Sequence, residues 1–210
     1  MFFVKGVILV EGWAEEILLP SIAKAINIDL TEKGVSIVNI GNTGFDHYAK
    51  IYIRQTEPFM GIPVAVITDS DIREYEKNGN EIIKRDENIV EQEKIKKLEE
   101  INKKSEGNVK YFAAPNWTLE YSLFKSQSLT MLFQNAAKEI HSGTDWDTDF
   151  EKALAEKLIN KGFKKTDIAY HIANAIDEDL RKEVPTIQII DDENDSINYL
   201  IKAIKYASGN

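Results

Sequence analysis

The sequence predicts an α/β fold, a parallel sheet flanked by helices with a carboxyl-terminal helical extension. Three observations lead there. Two runs, residues 4–10 (Val-Lys-Gly-Val-Ile-Leu-Val) and residues 64–68 (Val-Ala-Val-Ile-Thr), lack polar alternation and read as strands buried on both faces. Strand-like and helix-like segments then alternate over short links, the pattern of parallel strands joined by crossovers. Finally, residues 124–210 carry helical periodicity almost throughout.

Taken in order, strand 4–10 ends at Glu11-Gly12. Residues 14–26 follow with apolar positions at Leu18, Ile22, Ala25 and Ile26, a broad buried stripe. Glu15 and Glu16 fall in the first turn, where the helix dipole favours anions. Pro20 lies inside the pattern, so a kink or a late start is expected. Residues 35–40 form the second strand, Gly41-Asn42-Thr43-Gly44 its turn, and residues 45–55 a helix. After strand 64–68 the composition changes: residues 73–106 are rich in Glu, Lys and Asn. There we expect a mobile loop around Asn78-Gly79-Asn80 and an exposed, charge-paired helix over 88–104. Residues 109–114 give a fourth strand. Helices are expected over 127–139, 147–159, 165–181 and 194–207.

The chain has 210 residues, enough for one α/β domain and a smaller helical part. It contains no cysteine, which excludes disulfides and thiolate metal sites. His47, His141 and His171 lack metal-ligand spacing and read as surface or core residues. No apolar run reaches the roughly 18 residues that span a bilayer, and the amino terminus lacks the layout of a signal peptide. A cytoplasmic protein with no membrane partner is the expectation. The formal net charge of −9 argues against nucleic-acid binding by bulk electrostatics, though not through metal ions and a local basic patch. No phosphate-binding loop of the ATPase type occurs.

The chemistry concentrates in acids at strand ends: Glu11 after the first strand, Asp69 and Asp71 after the third, Glu120 after the fourth, with Glu15 one helical turn beyond Glu11. In an extended segment residues i and i+2 point to one side, so Asp69 and Asp71 are expected to converge. The carboxyl edge of an open α/β sheet is where ligands bind. Crowded carboxylates need a proton or a cation, and hard oxygen donors suit Mg²⁺ or Mn²⁺. The plainer reading is a loop with solvated aspartates.

Several of these segments resemble a known family. Leu9-Val10-Glu11-Gly12-Trp13-Ala14-Glu15-Glu16, followed by Leu18-Leu19-Pro20, resembles the first motif of Toprim domains in OLD (overcoming lysogenization defect) nucleases. Val66-Ile67-Thr68-Asp69-Ser70-Asp71 resembles the Toprim Asp-x-Asp motif. Gly41-Asn42-Thr43-Gly44-Phe45 is similar to the family's glycine turn, and Trp117-Thr118-Leu119-Glu120-Tyr121 to its Thr-Leu-Glu motif. Lys164-Lys165-Thr166-Asp167-Ile168-Ala169 resembles its Lys-Gly-Glu-Phe-Ala segment, with Lys165, or the adjacent Lys164, as the active-site lysine.

The resemblance implies a Toprim catalytic domain over residues 1–125, with 72–108 as a charged insertion, and a helical extension over 126–210 packed on it. It implies a DNA endonuclease using two Mg²⁺ or Mn²⁺ ions, and a place in phage defence. Glu15, Asp69 and Asp71 would be ligands, Glu11 a ligand or the general base, Glu120 a ligand for the second ion, and Lys165 a stabiliser of charge at the phosphate. Two cations roughly 4 Å apart can hold a scissile phosphate, activate water and stabilise the leaving oxygen. The resemblance also implies an ABC-type ATPase domain or subunit as partner, with homodimerisation through that part. The chain is then expected to be either a carboxyl-terminal fragment or a stand-alone Toprim protein working with a separate ATPase.

Two other readings compete. One is another Toprim activity, strand transfer by a topoisomerase or primer synthesis by a primase; a topoisomerase needs a nucleophilic tyrosine, usually from another domain. Tyr111, Tyr121 and Tyr170 are available without a supporting context. A non-catalytic interaction module could hold a structural ion; it would bind metal and never cut DNA.

Overall fold

The computed structural model describes residues 4–41, 44–53, 56–57 and 61–209. Of the expected glycine turn, Asn42 and Thr43 lie outside the described residues, as do residues 54 and 55 at the end of the expected second helix. Strand β1 (Gly6–Val10) leads into helix α1 (Trp13–Ala25), β2 (Val35–Asn39), α2 (Phe45–Tyr52) and β3 (Val64–Thr68). A hairpin of β4 (Tyr75–Asn78) and β5 (Glu81–Lys84) and helix α3 (Glu87–Asn102) precede β6 (Val109–Ala113). Helices α4 (Leu119–Lys125), α5 (Thr130–Ile140), α6 (Phe150–Ile159), α7 (Lys165–Asp179) and α8 (Asn198–Ser208) complete the chain.

The main sheet has the order β2-β1-β3-β6, and each of its neighbouring pairs is parallel. From β1 the chain steps to one side for β2 and returns to the other side for β3 and β6. Strands β1 and β3 are therefore adjacent with oppositely directed continuations, the switch point at which α/β sheets open a crevice.

Both faces of the sheet are covered, as the apolar runs required. Val7, Leu9, Val64, Val66 and Val109 share one apolar cluster with Ala49 of α2 and Ile101 of α3. The alternate positions Ile8, Val10, Ala65 and Ile67 join a larger cluster that runs through α1, α4, α5, α6, α7 and α8. Helix α8 lies against β1, β3 and β6, and α7 packs on α1. The expected helical stripes thus close over the sheet's second face. Helix α1 runs through Pro20 and starts at Trp13, so the late start does not occur.

Two parts differ from expectation. Residues 75–84 are a hairpin with a Gly79-Asn80 turn in place of a mobile loop, Gly79 taking the positive φ that such a turn requires. Burial of Tyr75 and Ile82 anchors it. Helix α3 is not a purely solvated face: Val90, Lys94 and Ile101 are buried. The Lys94 ammonium reaches Glu74 at 2.6 Å and Asn116 at 3.0 Å, so the buried charge is paired. Helix α4, too short to show a periodicity in the sequence, is capped by Thr118, whose hydroxyl accepts the Tyr121 N–H.

The connection from α7 to α8 is held by one buried carboxylate. Asp179 accepts hydrogen bonds from the Lys182 ammonium, the Thr186 hydroxyl and the backbone N–H groups of Thr186 and Ile187, all between 2.6 and 2.8 Å. The Lys182 contact and the Ile187 N–H hold its pKa below the usual carboxylate range. Among the described residues no helix is long and apolar enough to cross a membrane.

Close approach of α8 to the sheet rests on Gly6. A Cβ there would meet the Ala207 carbonyl oxygen at 1.9 Å, a backbone atom that cannot swing away. Gly6→Ala should therefore lower stability by about 1–3 kcal/mol. Gly143→Ala, with open space around the added methyl, should be neutral or slightly stabilising. Chemical denaturation of the two variants and the parent checks the contrast; equal midpoints for Gly6→Ala and the parent would refute the packing account.

Candidate active site

The adjacency of β1 and β3 brings Glu11 and Asp69 together, each the residue directly after its strand. The Thr68 hydroxyl donates to Glu11 Oε1 at 2.6 Å, and the Asp69 N–H points at the same oxygen at 3.4 Å. Gly12 then allows an immediate turn into α1. A Cβ at Gly12 would stand 3.3 Å from Glu15 Oε2, so the first turn folds the Glu15 carboxylate back over the strand end. Glu16 faces elsewhere and accepts from the Asn39 side chain at 3.0 Å, a role at the end of β2.

From the other side α4 supplies Glu120, 2% exposed, in its first turn. Asp69 Oδ1 accepts the Leu119 N–H at 2.9 Å, which ties the end of β3 to the start of α4. Lys165, the first residue of α7, brings its ammonium to 2.8 Å from Glu120 Oε2. That oxygen is fully buried and has no partner of hydrogen-bond geometry, so the contact is an ion pair without a well-directed bond. His141 fixes where α7 begins: its Nε2 accepts the Lys164 N–H at 3.2 Å while the ring stacks on Phe163. Burial, then the Lys157 and Lys164 charges, lowers the His141 pKa and favours the neutral imidazole this bond requires.

Glu11, Glu15, Asp69, Glu120 and Lys165 line one cleft of about 220 Å³, with Gly12, Trp13 and Thr166. Between the two candidate lysines, Lys165 reaches the carboxylates and Lys164 does not line the cleft. Asp71 is placed differently from the others. It is exposed with φ +60, and its N–H donates to the Trp117 carbonyl at 2.9 Å. The chain has left the extended conformation there, so the same-side geometry of residues i and i+2 does not apply. Asp71 stands outside the cleft lining, close enough for its charge to act on Glu11.

The electrostatics are those of anions crowded in a partly dry site. Burial raises the Glu11 pKa, opposed by the Thr68 and Asp69 hydrogen bonds. Burial, then the Glu120 charge, pushes Glu15 up to about 7. The same two causes hold Asp69 well above the carboxylate range. Burial pulls the Lys165 ammonium down, but Glu120 and Asp69 outweigh it and keep it protonated. Beneath the cluster, the buried Tyr199 hydroxyl of α8 has no hydrogen-bond partner; burial raises its pKa and the Asp69 and Glu15 charges add to this. Nothing local in the sequence marked Tyr199 or Thr68 as neighbours of the acids. Only the packing of α8 on the sheet and the strand register do.

An all-oxygen donor set, a buried carboxylate oxygen without a directed partner and two carboxyls raised by burial and by mutual crowding fit hard divalent cations. Among the described residues no three acidic or imidazole groups form a ready-made metal site. Repulsion separates uncompensated carboxylates, and here Glu120 is turned to Lys165 and Asp69 to the Leu119 N–H.

The crevice lined by Glu11, Glu15, Asp69 and Glu120 sits at the switch point of a fold that known structures share. Residues 2–71 match the family model described as overcoming lysogenization defect protein-like, TOPRIM domain. In fold, 99% of the chain superposes on 94% of a solved carboxyl-terminal region of the Xanthomonas campestris pv. campestris OLD protein, with TM-score 0.57 and 23% identity. The corresponding region of the Burkholderia pseudomallei OLD protein is covered to 100% by 97% of this chain, with TM-score 0.54 and 22% identity. The comparison with curated proteins finds no match. Residues 2–71 are thus similar to an OLD-like Toprim domain, and the fold of the chain is like that of OLD carboxyl-terminal regions.

The raised Glu15 carboxyl makes metal-free stability depend on pH. Below its ordinary value of 4.5 the group is protonated in both folded and unfolded chains. Between 4.5 and about 7 the unfolded chain ionises first, so stability falls as pH rises, and above about 7 the loss is complete. The Glu15 share should be on the order of 2 kcal/mol. In EDTA the parent should melt higher at pH 5 than at pH 8, and Glu15→Gln should lose the Glu15 share of that difference, the rest staying with Asp69 and Glu11. An unchanged pH dependence in Glu15→Gln would show that Glu15 is not desolvated in the folded chain.

Proposed function

We propose that this chain is the catalytic part of a metal-dependent DNA endonuclease that hydrolyses phosphodiester bonds with two Mg²⁺ or Mn²⁺ ions. One observation carries the reading: Glu11, Glu15, Asp69 and Glu120 converge with Lys165 in one cleft at the carboxyl edge of the sheet. In this reading Glu15, Asp69 and Glu120 hold the ions, with Asp71 joining from the rim. Bound there, the cations would grip the scissile phosphate, acidify an attacking water and stabilise the leaving oxygen.

The chain's own residues supply the rest. Thr68 and the Asp69 N–H orient Glu11, as a ligand or as general base. Its raised pKa makes it a better proton acceptor near neutrality than an ordinary carboxylate. Lys165 stays charged and sets a positive group opposite the charge that grows on the phosphate. A tyrosine-dependent strand transfer finds less support: the Tyr121 hydroxyl is held by Glu151 at 2.5 Å and Glu74 at 3.2 Å, and burial raises its pKa. The reading includes an ABC-type ATPase on a separate domain or subunit, dimerising through that part, and a cytoplasmic setting. It is supported by the likeness to structures described as carboxyl-terminal regions of larger proteins.

Supercoiled plasmid incubated with the purified chain and Mn²⁺ or Mg²⁺, without ATP, should be nicked, and EDTA should stop the reaction. Asp69→Asn should lose cutting together with the rise in melting temperature that Mn²⁺ gives the parent, because only an ion bound to the folded state stabilises it. Lys165→Ala should slow cutting by about 10²-fold while keeping that thermal response. Intact plasmid with either ion, and no thermal response in the parent, would count decisively against the reading.

A further inference from the structure

Trp13 is the first residue of α1, lines the carboxylate cleft and is 66% exposed. The other two tryptophans, Trp117 and Trp146, are 4% and 5% exposed. A tryptophan left in water beside a polar cleft contributes nothing to the core, and an amphipathic ring so placed is a ready contact for a ligand. One helical turn further along the same face, Ile17 lines a second cavity of about 410 Å³. Its other walls include Lys164, Thr166, Tyr170 and His171 from α7 and the turn before it. Thr166 lines both cavities, so cleft and cavity form one groove between α1 and α7. Tyr170, one turn beyond Thr166, is 59% exposed.

The groove therefore carries an aromatic face at each end, with cations beside it. The Lys164 ammonium is exposed and makes no ion pair among the described residues, and Lys165 stands at the carboxylates. The acidic groups there are Asp167, in the cavity wall, and Glu139, 3.6 Å from His171 Nδ1. In a duplex the bases stack on one another and offer an aromatic side chain no free face. In an unpaired strand each base exposes its π-face, while the backbone still presents phosphate to lysine. We propose that the α1–α7 groove binds an unpaired DNA strand leading from the carboxylate cleft, with Trp13 and Tyr170 as base-stacking platforms and Lys164 on the backbone. This rests on the nuclease reading and names its substrate: single-stranded or locally opened DNA, such as supercoiling produces.

Binding can be measured apart from cutting. In EDTA, fluorescence anisotropy with a dye-labelled oligothymidylate and with a duplex of equal length should show tighter binding of the single strand. Trp13→Ala should weaken single-strand binding about ten-fold and Tyr170→Ala several-fold, with duplex binding unchanged. Trp13→Phe, which keeps an aromatic face, should retain most of the affinity. Equal affinity of parent and Trp13→Ala for oligothymidylate, or duplex binding as tight as single-strand binding, would overturn the proposal, as would absence of binding to either. Failure of the parent to nick plasmid with Mn²⁺ would instead count against the nuclease reading, and the anisotropy results would still decide the groove.

Discussion

Everything at the site depends on the parallel pairing of β1 with β3. Because Val7 pairs with Val64 and Leu9 with Val66, Glu11 falls level with Thr68, and its carboxylate meets the Thr68 hydroxyl beside Asp69 at the switch point. The register is set by residues with no chemistry of their own, since Val, Ile and Ala must be buried on both faces. The price is two carboxylates lifted out of water, to which α1 and α4 add Glu15 and Glu120. Folding therefore works against the ionisation that the proposed metal binding would require, and the raised carboxyls record that conflict.

The conflict is moderated by groups from distant parts of the chain. Lys165 supplies a cation, and the start of α4 supplies the Leu119 N–H. Glu15 and Glu120 each lie in the first turn of a helix, where the dipole favours a negative charge. Lys165 can serve only if α7 is held in place. Packing against α1, the His141 bond at its start and the Asp179 bonds at its end hold it. Residues far from the carboxylates thus position one of the charges that the cluster needs.

The charged segment that holds the hairpin and α3 has a comparable structural role. Lys94 and Asn116 meet across 22 residues of sequence, and Glu74 bonds both Lys94 and the Tyr121 hydroxyl. Tyr121 and Lys125 of α4 both reach Glu151 of α6. This network fastens the hairpin and α3 to the helix that carries Glu120. A segment that reads as a solvated face in the sequence is, in the fold, part of the support for a buried acid.

The sequence by itself determined the parallel α/β core, because doubly buried strands leave apolar runs and amphipathic helices leave a stripe. It also marked Glu11, Asp69 and Glu120, which follow strands directly or within a short turn, and Glu15, one helical turn from Glu11, the four acids that the fold gathers in one cleft. The hairpin was missed although Gly79-Asn80 is a turn signal, because the burial of Tyr75 and Ile82 that fixes it is a long-range effect. Tertiary structure alone decided the rest. It selected Lys165 over Lys164, set Asp71 outside the cleft through a left-handed backbone, and brought Tyr199 under the acids. Periodicity records which side of an element is apolar. Which distant side chain completes a charged cluster depends on how the helices cross, and no local pattern encodes that.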